Sequence, residues 1–146
     1  MNSIQSFIQF LQSCITPVAL ISGVGLILLS LTNRLGRTID RSRMLVSELE
    51  KHDATKRDIK ISELKILHKR SRILRTSIAA ISFSILASSL IIPVLFVMSI
   101  STLNLKTVGV ILFILSMFSL ILSAVMLMAD VVLALKAVEK EVEEYI

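Results

Sequence analysis

Few side chains in this sequence can do chemistry, and their spacing argues against catalysis. Cys14 is the single cysteine, so no intramolecular disulfide is expected. His52 and His68 have no cysteine or second histidine at the spacing a metal ion needs. No Cys–His arrangement and no close pair of carboxylates accompanies them, although folding could bring Asp40 and Asp130 together. Gly23 and Gly25 sit inside an apolar run and cannot form a loop that cradles phosphate. The sequence therefore predicts neither an enzyme nor a cofactor or metal site. Asp130 is the most informative residue, because it follows a long stretch without charge.

The elements that must position it are long helices. Only 18% of the 146 residues are charged, and mean hydropathy is +0.82. No Asp, Glu, Lys or Arg occurs in residues 1–33, 76–105 or 107–129. Each run exceeds the ~20 residues that cross a bilayer as a helix. This pattern excludes a soluble globular domain and intrinsic disorder. The predicted fold is all-α: an integral membrane protein with three transmembrane helices. The first two are expected to extend into a cytoplasmic antiparallel helical hairpin. One domain covers residues 1–146. It divides into an interfacial amphipathic helix at 2–15, a first span at 17–33, the hairpin at 34–75, a second span at 76–101, a third at 107–130 and an acidic cytoplasmic tail at 136–146.

Charge sets the expected topology. Residues 34–75 hold 13 basic and 6 acidic residues, whereas the connection at 102–107 carries only Lys106. Because Lys and Arg stay on the cytoplasmic side, the N-terminus is expected outside and the C-terminus inside. The tail from Lys136 has two Lys and four Glu, and its charge favours contact with the basic segment. The surplus of positive charge is read as topology and contact with anionic lipid, not as a nucleic-acid surface.

Ile4, Phe7, Ile8, Leu11 and Ile15 follow helical spacing between polar residues, a pattern that Phe10 breaks. Thr16 and Pro17 then read as a cap and a first helical position, so the first span is expected to begin there. In the hairpin, Leu35, Ile39, Ser42, Val46 and Leu49 are the expected seam on one arm. Leu64, Leu67, Ser71, Leu74 and Ile78 match them on the other, with a turn at residues 52–56. Pro93 predicts a kink near the outer end of the second span.

Polar and small residues inside the spans fall on helical faces. Ser22, Gly25, Asn33 and Asp40 share one on the first span, together with Gly36. Ser84 and Ser88 lie with Ser77, Ala80 and Ala87 on the second, and Ser116, Ser119 and Ser123 line up with Asp130 on the third. Such faces pack membrane helices closely, and in an oligomer they could also border a polar path. Asp130 is about 33 Å along its helix from Val108, which places it near the cytoplasmic interface. Arg34, Arg37 and Arg75 are its candidate ion-pair partners there. Arg41, Arg43, Lys69, Arg70 and Arg72 are assigned to anionic lipid headgroups.

The run from Pro17 through Leu26, the stretch Leu29-Ser30-Leu31-Thr32-Asn33-Arg34-Leu35-Gly36-Arg37 and the pair Asp40-Arg41 carry a resemblance. They resemble the start of a bacterial membrane family catalogued as domain of unknown function 2721. The segment Lys69-Arg70-Ser71-Arg72-Ile73-Leu74-Arg75 is similar to that family's basic entry into its second span. Asp130 with Leu133-Ala134-Leu135 resembles an acidic position usually filled by Glu. The resemblance covers nearly the whole chain. It implies a three-helix protein of the bacterial inner membrane and no established activity.

Three functional classes follow. The first is a non-enzymatic homo-oligomeric subunit, forming a pore or a membrane scaffold. The alternative is a regulatory module whose hairpin binds a soluble protein. A membrane enzyme is the weakest reading. No nucleic-acid partner is expected.

Overall fold

The computed structural model describes residues 2–51, 57–100 and 105–143. They form three helices, α1 (Asn2–Lys51), α2 (Arg57–Ile100) and α3 (Lys106–Glu143). At 1.5 Å per residue, helices of 50, 44 and 38 residues measure roughly 75, 66 and 57 Å. All three are long and apolar enough to cross a membrane. Each also exceeds the ~30 Å of a bilayer's hydrocarbon core. The expected turn at 52–56, residues 102–104 of the connection at 102–107 and the tail's side chains beyond Lys136 lie outside the described residues.

Two prolines sit within helices. The expected start at Pro17 is not observed, because α1 runs unbroken from Asn2 and Pro17 lies inside it. The ring removes one N–H and leaves the Ser13 carbonyl without its regular donor. Ser13 meanwhile turns its own hydroxyl back to donate to the Gln9 carbonyl at 2.9 Å. Packing offsets the lost bond. Pro17 is buried, and Phe10 meets Phe96 of α2 edge to face with ring centroids 5.8 Å apart. That contact also explains why Phe10 departs from the amphipathic pattern. In α2, helix continues through Pro93 to Ile100.

The described chain divides into two compact units. One comprises Met1–Leu29 and Ala79–Leu122; the other comprises Ser30–Ile78 and Ser123–Ile146. In the first unit Val24, Ile81, Ala87 and Ile91 are buried beside Ser84, Ser88, Ser116 and Ser119. Its outward side chains include Leu26, Leu86, Phe113 and Phe118, all exposed. In the second unit Leu31, Leu45, Leu67 and Leu74 are buried beside Thr38, Ser77, Ser123 and Asp130. Polar side chains inside and large apolar ones outside suit helices surrounded by lipid, where close packing and interhelical hydrogen bonds replace the hydrophobic drive.

Along each helix the inward residues recur every seven positions. They are Pro17, Val24, Leu31, Thr38 and Leu45 on α1; Leu67, Leu74, Ile81 and Ser88 on α2; and Ser116, Ser123 and Asp130 on α3. A seven-residue period keeps one edge of a helix against its neighbours, as in coiled coils.

Candidate functional site

The buried hydroxyls of α2 and α3 form rungs between the two helices. In the second unit Ser77 donates to the Ser123 carbonyl at 2.8 Å, and Ser123 donates to the Ser77 carbonyl at 2.9 Å. The two hydroxyl oxygens are 2.9 Å apart, so two protons are divided among three contacts. In the first unit Ser84 and Ser116 repeat this exchange at 2.9 and 3.1 Å, and the Ser88 hydroxyl joins that of Ser116. Ser119 donates to the Ala80 carbonyl at 2.6 Å. A side chain as short as serine reaches the opposite backbone only if the helices approach closely, which the small faces of α2 and α3 permit.

The rung beyond Ser77 and Ser123 is charged. Seven residues back along α2 and seven forward along α3 lie Arg70 and Asp130. Arg70 Nε donates to Asp130 Oδ1 at 3.0 Å. Arg34 of α1 donates from Nη1 to Oδ2 at 3.3 Å. Asp130 is fully buried and spends one oxygen on each guanidinium, while both arginines keep part of their surface in solvent. One carboxylate thus ties α3 to both other helices. Burying a lone charge would be prohibitive; two charge-assisted hydrogen bonds offset its desolvation.

The sequence-derived candidates separate accordingly. Arg34 lies against Asp130. Arg37 and Arg75 are exposed and, among the described residues, make no ion pair with it. Arg70, expected at lipid headgroups, is instead committed to the buried carboxylate. Arg41, also assigned to headgroups, pairs with Glu63 at 2.9 Å, and Lys60 pairs with Glu48 at 3.0 Å. Arg43, Lys69 and Arg72 are exposed.

Ser84, Ser88 and Ser116 come together in the first unit, with Ser119 bonded to the Ala80 carbonyl, and Ser123 meets Ser77 in the second, but the polar face predicted on α1 takes no part in these bonds. Ser22, Asn33 and Asp40 are exposed, and a Cβ built on Gly25 would meet nothing within 4 Å. The inward edge of α1 is apolar except for Thr38, whose hydroxyl donates to the Arg34 carbonyl at 2.9 Å.

The expected Ser42–Ser71 seam is likewise not closed. Both serines line an open groove of about 480 Å³ between α1 and α2, together with Ile39, Val46, Leu64 and Arg75. Ser42 turns its hydroxyl to the Thr38 carbonyl of its own helix at 2.8 Å. Arg70 and Thr38 were the residues missed by sequence reasoning. Continuing the seven-residue step from Ser84 and Ser77 reaches Arg70 directly.

Residues 14–140 match the family described as Protein of unknown function (DUF2721). The chain belongs to that family. No curated protein and no solved structure gives a significant match. Membership in DUF2721 agrees with the resemblance carried by residues 17–41. The site itself offers this family member structural chemistry: neutral hydroxyl exchange along one helix pair and a charge-assisted knot at Asp130.

Proposed function

We propose that the chain is a non-enzymatic, multi-pass protein of the bacterial inner membrane that assembles as a homo-oligomeric scaffold. The observation that carries this reading is the use of the polar residues in its apolar runs. The buried serines of α2 and α3 satisfy one another and the facing backbone, and Asp130 is neutralised by two arginines. Among the described residues, the buried polar side chains of each unit are spent in this way and leave none to line a solute path within one chain. The part of α1 after its apolar run and the part of α2 before its own are rich in charge, and two ion pairs link them in antiparallel order. That arrangement supports a cytoplasmic hairpin, with the N-terminus outside by the distribution of Lys and Arg. Anionic lipid would contact Lys69 and Arg72 at its base.

The test is reconstitution into liposomes loaded with an ion-sensitive dye. Scaffold protein should leave the vesicles sealed to K⁺, Na⁺ and H⁺ at every protein-to-lipid ratio. Ion-selective flux that rises with the amount of protein would overturn the scaffold in favour of a pore.

A further inference from the structure

The stretch of α3 after Asp130 stays apolar through Val131, Val132, Leu133, Ala134 and Leu135. Val132 is 47% exposed and Leu135 is 65% exposed. Pairing of Ser77 with Ser123 and of Arg70 with Asp130 sets α2 and α3 antiparallel, so this stretch runs beside the charged part of α2 that precedes Arg70. Large apolar side chains exposed at that level need a cover other than lipid tails.

The same unit offers a matching surface. The groove between α1 and α2 has an apolar lining of Ile39, Val46 and Leu64, and among the described residues none of α3 borders it. Its cations Arg43 and Arg75 have no carboxylate partner among the described residues. Glu63 and Glu48, by contrast, are held by Arg41 and Lys60.

We propose that these surfaces cover each other between copies. Val132 and Leu135 on α3 of one copy enter the α1–α2 groove of the next. Height and charge both favour a second copy as the occupant. Asp130 lies against Arg34 and Arg70, so the α3 stretch that follows it and the groove occupy the same height along their unit. Rotation about an axis normal to a membrane preserves that height in every copy. The sequence after Leu135 carries Glu139, Glu141, Glu143 and Glu144 against Lys136 and Lys140, which complements Arg43 and Arg75. Ridge and groove are different surfaces, so the contact is heterologous and repeats around a ring. The inference rests on the proposed reading that all copies share one orientation in the membrane.

Disulfide trapping between two differently tagged copies tests it, each copy carrying Cys14→Ser. One copy has Ser42→Cys in the groove and the other Leu135→Cys on α3, two positions at about the same height; oxidation is done in native membranes. The expected result is an intermolecular disulfide well above that of a control pair, Leu86→Cys with Leu135→Cys. Arg43→Glu combined with Arg75→Glu should lower the trapped fraction about tenfold, because like charges then face each other. An oligomer in nanodiscs whose copies do not trap at 42 and 135 overturns this interface and leaves the scaffold reading intact. Trapping in a protein that conducts ions overturns the scaffold and leaves the interface. A monomer in nanodiscs overturns the interface outright.

Discussion

Asp130 shows what one carboxylate can do when each oxygen has its own arginine. Asp130→Asn removes the charge while keeping the shape, and leaves two guanidinium groups without a counter-ion. Both arginines are partly exposed and can turn toward water or lipid phosphate, so the expected loss is about 2 kcal/mol rather than the larger cost of a sealed pair. Thermal or denaturant unfolding in detergent measures it. Double-mutant cycles with Arg70→Gln and Arg34→Gln should each show coupling of about 1 kcal/mol, and cycles with Arg37→Gln or Arg75→Gln should show none. Coupling to Arg37 or Arg75 alone would mean that the helices pair in another register. An ion pair at Asp130 was legible in the sequence, because a carboxylate ending an uncharged run needs a cation at its level. Its partner on α2 was not. Several arginines lie near that level, and only the pairing of helices selects Arg70.

The element that settles the selection is the α2–α3 pair with its seven-residue step. Ser123→Ala should cost about 0.6 kcal/mol, the average for an interhelical hydrogen bond in a membrane protein. Ser77→Ala added to it should cost little more, since the two hydroxyls share one rung. Ser116→Leu should be far worse than Ser116→Ala, because a branched side chain forces apart helices that meet through short ones. Unfolding midpoints of the four variants decide the matter; equal losses for Ala and Leu at 116 would refute close approach. Ser42→Leu and Ser71→Leu should leave the stability of a single chain unchanged, since both serines border open space.

Reading faces at 100° per residue found the α3 stripe and misjudged α1. Ser22 and Asp40 are eighteen residues apart, five turns of an ideal straight helix, and so appear to share a face. Ser22, however, lies about 200° round the helix from Val24, as Asn33 does from Leu31 and Asp40 from Thr38. That polar face points away from the neighbouring helices, and Val24, Leu31, Thr38 and Leu45 take the inward edge instead.

For the whole molecule, the three uncharged runs made the helices plain in the sequence, and nothing in composition hid them. Their continuity past Pro17 was less visible, since a proline after threonine is also a common way to begin a helix. The proposed topology is tested by reporter fusions at His52 and Ile146, which should both report the cytoplasm, while one ahead of Asn2 should not. A periplasmic signal at either of the first two positions would overturn the orientation. It would also remove the basis for placing anionic lipid at Lys69 and Arg72.

The rungs between α2 and α3 also bear on how the two helices find each other. A neutral serine rung is a poor key, because serines recur at seven-residue steps on both helices and a shift by one heptad offers a hydroxyl another hydroxyl. The charged rung is unforgiving. Sliding α3 one heptad in one direction sets Asp130 opposite Glu63, carboxylate against carboxylate, and leaves Arg70 facing Ser123. Sliding it the other way sets Asp130 against Ser77 and Arg70 against Ala137, stranding two charges. Serines make the helices adhesive, and the single aspartate makes them legible to each other: it proofreads an alignment that adhesion alone would leave ambiguous.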